Sequence, residues 1–140
     1  MGSPAAVESG SFDDAVEFEL QMWVDGPHRS AGDVDLAFRE RVRSMDAALL
    51  RRAAEQEAAT EREPEPPVLE RLGTITAPAL VVVGAIDGPD ALASADVLVV
   101  DIRGARRLDI VGAAHLPSME CPGDFNPAVL AFIDDVDEPR

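Results

Sequence analysis

The segment at residues 79–84, ALVVVG, constrains the fold of this chain more than any other. It is a short, wholly apolar run rich in β-branched residues, and a glycine ends it. Such a run is typical of a strand covered on both faces, which is the usual environment in a parallel sheet. A second segment, RRLDIVG at 106–112, alternates at Leu108 and Ile110 and predicts the next strand. The chain is therefore predicted to contain an α/β unit.

Helical periodicity accompanies these two strands. Pro89 is well placed for the first turn of a helix between them. The apolar stripe of that helix comprises Leu92, Ala95, Val99 and Ile102. The stripe of a closing helix after the second strand comprises Phe125, Val129, Phe132 and Val136. The order strand, helix, strand, helix fits a parallel sheet covered by helices.

Two strands are few for a buried parallel sheet, which normally has more. Each predicted strand would leave one edge open, and an open apolar edge is a site for pairing with another chain. We therefore expect this sequence to form part of a sheet whose other strands come from elsewhere. Self-association through the open edges is the alternative.

The first half of the chain has a different, helical pattern. Ser11 and Asp14 have the form of a capping box, and an apolar face follows that ends near Asp25. The members of this face are Phe12, Val16, Leu20 and Trp23. Asp33 or Asp35 can cap a second helix, which we expect to run to about Ala59. Its predicted apolar face comprises Phe38, Val42, Met45 and Leu49.

An acidic segment divides the two halves. Residues 55–70 contain six glutamates and one arginine, and Pro64, Pro66 and Pro67 exclude a helix through the middle. The predicted organisation is a helical segment at 1–62, an acidic Pro-rich linker with a short helix at 63–77, and an α/β part at 78–140. The short helix is expected around Val68 to Leu72.

Composition narrows the possible functions. The 140 residues carry 27 acidic and 12 basic side chains, a formal charge of −15. Such a surface repels phosphate backbones and anionic lipid, so we expect neither nucleic-acid nor membrane binding. The N-terminal residues do not resemble a signal peptide, and no apolar run approaches the roughly 20 residues of a membrane span. One cysteine, Cys121, excludes an internal disulfide and favours a cytoplasmic location.

Two loops at the carboxyl ends of the predicted strands carry the polar residues of interest. They are GAIDGPD, with Asp87 and Asp90, and GAAHLPSME, with His115. Adjacent parallel strands place such loops at one edge of the sheet, where sites in open α/β sheets gather. Asp87 can then accept a hydrogen bond from His115 and fix its tautomer, which makes the imidazole a general base.

Simpler interpretations stand beside this one. Asp87 can cap the following helix, and His115 can be an ordinary loop histidine bonded to backbone. Asp90 fits a cap or rim position, His28 a surface loop, and Cys121 a small packing residue or, less simply, a reactive thiol.

The second half resembles the α/β-hydrolase family. PALVVVGAID at 78–87 is similar to the strand and loop that carry the acid of that family's triad. The segment at 105–133 is similar to its last strand, histidine loop and final helix. The first half, with FELQMWVDGPHRS, is similar to the helical cap of many members. The resemblance implies an incomplete α/β-hydrolase fold in which Asp87 is the acid and His115 the base. It also implies that Met22 and Trp23 contact an acyl substrate.

The family's nucleophile is missing from this pattern. It lies in a G-x-S-x-G turn, and none of the seven serines has that setting. The resemblance therefore implies esterase or lactonase chemistry for the completed fold, and an inactive chain when alone. The alternative is a non-catalytic interaction or dimerisation module. No cofactor is expected, because Gly84 and Gly88 do not form G-x-G-x-x-G. No metal site is expected either, because the single cysteine and two histidines lack a recognised ligand spacing.

Overall fold

The computed structural model describes residues 12–55 and 64–137. The chain divides into two compact units, an N-terminal unit, Met1–Thr60, and a C-terminal unit, Glu61–Arg140. Two features of the predicted helices, the Ser11 cap and the helix end near Ala59, lie outside the described residues.

The N-terminal unit begins with helix α1, Phe12–Leu20, whose buried side includes Val16 and Leu20. The helix widens into one π turn, Gln21–Asp25, and the Gly26 N–H donates to the Gln21 carbonyl at 3.1 Å. Gly26 has φ 72°, a left-handed conformation that glycine adopts without strain. The predicted helix and its end near Asp25 are thus confirmed.

The second helix, α2, spans Leu36–Glu55 within the described residues. Asp35 caps it, because its Oδ1 accepts the Phe38 N–H at 2.8 Å. The other predicted cap, Asp33, instead accepts the Ser30 N–H at 2.9 Å and closes a preceding 3₁₀ turn, Ala31–Asp33.

The predicted apolar face of α2 is only partly correct. Phe38 and Val42 are half-buried, but Met45 and Leu49 are 51% and 64% exposed. The lengths of the helices give the reason. At about 1.5 Å per residue, α1 is about half as long as α2 and cannot cover all of it.

The N-terminal unit buries charge as well as apolar surface. Arg39 of α2 is 5% exposed and Asp25 is 3% exposed. Arg39 donates to both oxygens of Asp25 at 2.9 Å and to Glu17 at 2.6 Å. Arg43 donates to the other oxygen of Glu17 at 2.6 Å. We call Glu17, Asp25, Arg39 and Arg43 the charge cluster.

The C-terminal unit contains the predicted α/β arrangement. Its elements are helix α3, Val68–Arg71, strand β1, Leu80–Gly84, helix α4, Pro89–Asp101, strand β2, Arg106–Ile110, helix α5, Pro117–Glu120, and helix α6, Pro122–Asp137. The strands pair in parallel, with Leu80 opposite Arg106 and Gly84 opposite Ile110. Ala95 and Ile102 of the predicted α4 stripe are buried. Both predicted strands, their parallel pairing and the helices around them are confirmed.

The burial of β1 differs from the prediction. Val83 and Gly84 are buried, whereas the first three residues of the strand are only half-buried. Among the described residues β1 pairs with β2 alone, so its other edge has no strand beside it. A sheet of two strands cannot enclose either of them fully. No helix in the described ranges is both long and apolar enough to cross a membrane.

Candidate active site

The parallel register brings two loops to one edge of the sheet. Residues 85–88, the acid loop, follow β1, and residues 111–116, the histidine loop, follow β2. The last residues of the two strands, Gly84 and Ile110, lie opposite each other. The loops therefore begin side by side, as the carboxyl ends of adjacent parallel strands require.

Asp87 and His115 are in direct contact across these loops. Asp87 Oδ2 lies 2.8 Å from His115 Nδ1, which is a hydrogen-bond distance. A carboxylate only accepts hydrogen bonds, so Nδ1–H is the donor and Nε2 is left as the basic nitrogen. The Asp87 side chain is 5% exposed and that of His115 is 41% exposed. The acid of this contact is therefore buried, whereas the imidazole is partly exposed to solvent.

The second oxygen of Asp87 argues against a simple capping role. Its Oδ1 accepts the N–H of Gly88 at 2.7 Å, while Gly88 itself precedes the first turn of α4. Within the described part of the chain, no side-chain hydrogen bond caps the start of α4. Asp87 is therefore held by the adjacent backbone and directed at His115 rather than into the helix.

Close backbone packing brings the histidine loop to this position. A Cβ on Gly84 would lie 1.9 Å from the Ala114 carbonyl oxygen and 2.3 Å from that of Ala113. Ala113 and Ala114 are fully buried. The Ile86 N–H donates to the Ala113 carbonyl at 3.2 Å, which joins the two loops directly. Only glycine at position 84 permits this approach.

Glu120 is part of the site, although no motif in the sequence indicates it. Its Oε2 accepts the N–H of Ala114, the residue before His115, at 2.9 Å. The short helix α5 brings it there, since the Glu120 N–H donates to the Leu116 carbonyl at 2.9 Å. A glutamate five residues beyond a candidate histidine is a weak signal, because such a residue is usually solvated.

A groove of about 290 Å³ adjoins the Asp87–His115 pair. Its walls come from the open side of β1 and from α4, and its residues include Val81, Val83, Leu98 and Pro117. The groove is apolar along the strand and polar at the pair. This combination is typical of a site that binds an apolar group beside reacting polar atoms.

The remaining predicted residues occupy exposed or half-buried positions within their own units. Asp90 is exposed in the first turn of α4, and its carbonyl accepts the Ser94 hydroxyl at 2.7 Å. His28 is exposed in the N-terminal unit, and Cys121 is half-buried at the end of α5. Within the described ranges, no three His, Cys, Asp or Glu residues lie together in a way that could hold a metal ion.

Met22 and Trp23 belong to the N-terminal unit. Both are half-buried in the π turn after α1, and the Trp23 indole N–H donates to Glu19 at 2.5 Å. Their contact with substrate stays a prediction.

No family model and no curated protein matches this chain. Solved structures do match. A hydrolase from Pseudomonas aeruginosa PA01 is 24% identical with a TM-score of 0.64, over 92% of this chain and 46% of its own. An N-acyl homoserine lactone degrading enzyme is 23% identical with a TM-score of 0.61, over 93% and 51%. The carboxylesterase CesB from Bacillus subtilis is 18% identical with a TM-score of 0.58, over 94% and 46%.

The chain spans about half the length of these structures, which have the α/β-hydrolase fold. The two-stranded parallel sheet and its helices match one part of that fold. The described chain therefore has the fold of the C-terminal half of an α/β hydrolase.

Proposed function

We propose that this chain supplies the acid and the histidine of an α/β hydrolase that cleaves ester-type bonds with a Ser-Asp-His triad. The observation that carries the proposal is the 2.8 Å contact between His115 Nδ1 and a buried Asp87, at the carboxyl ends of adjacent parallel strands. This arrangement orients an imidazole and stabilises its cation, as acyl transfer requires.

The proposed mechanism follows from the tautomer. His115 Nε2 takes the proton of a serine hydroxyl as its oxygen attacks the ester carbonyl, and Asp87 stabilises the resulting imidazolium. The imidazolium then protonates the departing alcohol and leaves an acyl-serine. A water molecule, deprotonated by the same nitrogen, releases the acid and regenerates the serine.

The serine and the oxyanion hole have to come from polypeptide beyond these 140 residues, because the sequence contains no G-x-S-x-G turn. The lengths of the similar structures, about twice that of this chain, support this source. The chain alone is then inactive.

The proposed substrate is a carboxylic ester or a lactone. Support comes from the descriptions of two similar structures, a carboxylesterase and an enzyme that degrades N-acyl homoserine lactone. In this proposal the N-terminal unit acts as the helical cap, and Met22 and Trp23 contact the acyl chain. The single cysteine of the sequence supports a cytoplasmic location, which thiol labelling in intact and lysed cells would test.

The test joins the 140-residue chain to an N-terminal polypeptide with a G-x-S-x-G turn, taken from the genomic sequence upstream or from a similar hydrolase. Hydrolysis of p-nitrophenyl butyrate and of an acyl homoserine lactone is measured. We expect turnover by the joined protein only, loss of turnover in His115→Ala, and retention in His28→Ala, whose histidine is exposed in the N-terminal unit. Turnover that survives His115→Ala contradicts the proposal. Turnover that disappears in Cys121→Ser would indicate thiol chemistry instead.

The open edge of β1 supports a second candidate, a module for self-association or partner binding. In the described part of the chain, β1 has a neighbouring strand on one side only, and Val97 and Val100 of α4 are 40% and 80% exposed. Exposed apolar surface and an open edge both favour association.

Sedimentation tests this second candidate. We expect the chain alone to form concentration-dependent oligomers, and Val82→Lys on β1 to shift them toward monomer. Val111→Lys, at a residue that is 83% exposed after β2, is the matched control and should have no effect. A single monomeric species at all concentrations would exclude self-association.

A further inference from the structure

The hydrogen bond between Glu120 and the Ala114 amide lies next to the Asp87–His115 pair in the chain and is not part of that pair. Ala114 is fully buried and directly precedes His115. Its N–H donates to Glu120 Oε2 at 2.9 Å. This bond joins the end of α5 to the backbone from which the imidazole projects.

The two residues before His115 are thus held from different sides. On one side, Gly84 permits the carbonyls of Ala113 and Ala114 to approach β1, and Ile86 donates to Ala113. On the other side, the carboxylate of Glu120 binds the Ala114 N–H. A buried amide without its acceptor is unfavourable, so loss of this bond favours a rotated peptide at position 114.

We propose that Glu120 is a positioning residue that acts through the Ala114 amide to keep the His115 imidazole aligned with Asp87. It contacts neither substrate nor reacting atoms in this proposal. The functional part rests on the proposed function, whereas the alignment itself is a property of the chain alone.

In this proposal the reach of the acceptor oxygen, rather than the charge of the side chain, holds the Ala114 amide. Glu120→Gln keeps both the length and an acceptor oxygen. Glu120→Asp keeps the charge but withdraws the acceptor by one methylene. Glu120→Ala removes the acceptor altogether. Asp124→Asn, at an exposed position in the first turn of α6, is a matched control that removes a nearby charge.

The first measurement is made on the 140-residue chain by proton NMR. We expect a downfield His115 Nδ1–H resonance that is absent in Asp87→Asn. The exchange of this proton with water should be about as slow in Glu120→Gln and Asp124→Asn as in the unmodified chain. It should be faster in Glu120→Asp, and faster by about tenfold or more in Glu120→Ala. Circular dichroism checks that each variant is folded. If Glu120→Ala is unfolded, the exchange rate in Glu120→Asp is the deciding measurement.

Three results of this NMR measurement would overturn the proposal. One is unchanged exchange in Glu120→Asp and Glu120→Ala. Another is a large effect in Glu120→Gln with none in Glu120→Asp, which would mean that the charge of the side chain matters rather than its reach. Absence of the Nδ1–H resonance in the unmodified chain would also overturn it, together with the aligned pair.

The second measurement uses the joined enzyme. We expect Glu120→Ala to lower kcat by about tenfold to a hundredfold with little change in KM, because small misplacements of a catalytic group have effects of this size. Glu120→Gln should restore most of the rate. If His115→Ala abolishes turnover but Glu120→Ala does not lower kcat, only the role of Glu120 is wrong. If His115→Ala has no effect, the proposed function is wrong.

Discussion

Each unit of this chain buries an aspartate against a basic side chain, and the two pairs differ in what surrounds them. In the N-terminal unit, Asp25 and Arg39 are both buried, at 3% and 5% exposure. In the C-terminal unit, the Asp87 side chain is buried, but that of His115 is 41% exposed and lines a groove.

The difference in exposure fits different roles for the two pairs. The hydrogen bonds that Arg39 donates to Asp25 and Glu17 raise the pKa of Arg39, so the guanidinium stays charged and can only bind. An imidazole can give and take a proton near neutral pH, and exposure lets it meet a substrate. We therefore interpret the Asp25–Arg39 pair as structural and the Asp87–His115 pair as chemical.

Exchanging the two aspartates for asparagine should separate these roles most clearly. In the joined enzyme, Asp87→Asn should lower kcat by about 10⁴-fold, because an asparagine favours the wrong imidazole tautomer. Asp25→Asn should leave kcat of the folded enzyme nearly unchanged. The measurement is kcat for p-nitrophenyl butyrate at a temperature where both variants are folded. Similar losses of kcat in the two variants would contradict the assignment of different roles to the two pairs.

Removal of the buried guanidinium should have the largest effect on stability. Arg39→Met leaves Asp25 buried without its cation, and we expect a loss of about 3–5 kcal/mol in unfolding free energy. Trp23 is the only tryptophan, so its fluorescence during urea denaturation reports on the N-terminal unit. Arg41→Met, at an exposed residue of the same helix, is the control. Equal losses in both variants would mean that burial of the charge is unimportant.

The C-terminal unit should be sensitive to volume rather than charge. Gly84→Ala places a methyl group within 2.3 Å of two backbone oxygens, so the histidine loop has to move. We expect a loss of about 1–3 kcal/mol, as for other overpacked sites. Among the described residues, a Cβ on Gly123 would meet no atom within 4 Å beyond its chain neighbours and the backbone of its own helix, α6, so Gly123→Ala should be neutral or stabilising. Thermal unfolding of both variants checks this, and a tolerated Gly84→Ala would contradict the close packing.

The charge cluster should also make the N-terminal unit sensitive to acid. Hydrogen bonds from Arg39 and Arg43 lower the pKa of Glu17 from 4.5 to about 2. The contribution of Glu17 to stability is therefore complete above about pH 4.5 and is lost as the pH falls toward 2. Because the side chain is partly exposed, we expect a loss of only about 1 kcal/mol.

Trp23-monitored denaturation at pH 7 and pH 3 measures this loss. Glu17→Gln should lower stability at pH 7 and make it less dependent on pH. If Glu17→Gln loses as much stability between pH 7 and pH 3 as the unmodified chain does, other carboxylates cause the acid sensitivity.

Substitution of Asp46 should raise the stability of the folded unit slightly, whereas Arg39→Met and Glu17→Gln lower it. Burial, and then the negative charge of Glu19, raise the pKa of Asp46, and among the described residues its Oδ2 is buried without a hydrogen-bond partner. Removing the charge should therefore stabilise the folded unit. We expect Asp46→Asn to add about 0.5 kcal/mol at pH 7 and less at low pH, measured by urea denaturation. Destabilisation at pH 7 would mean that the carboxylate has a favourable partner.

Local patterns in the sequence determined the elements and the candidate pair. An apolar β-branched run ended by glycine predicted β1, and apolar stripes predicted the helices on either side of β2. Parallel strands place their following loops together, so the order of elements allowed a contact between Asp87 and His115. The resemblance to the α/β-hydrolase family then favoured that contact over the simpler interpretations. These inferences succeed because hydrophobic periodicity and strand direction are properties of neighbouring residues.

The tertiary structure alone decided which residues hold that pair and which charges are buried. Arg39 is indistinguishable in sequence from an exposed arginine, and its burial depends on two carboxylates from α1 and the π turn. The clearance at Gly84 and the reach of Glu120 to Ala114 depend on distances between separate segments. Periodicity records which side of an element is apolar. It does not record how closely two backbones approach or which charges meet, because those follow from packing in three dimensions.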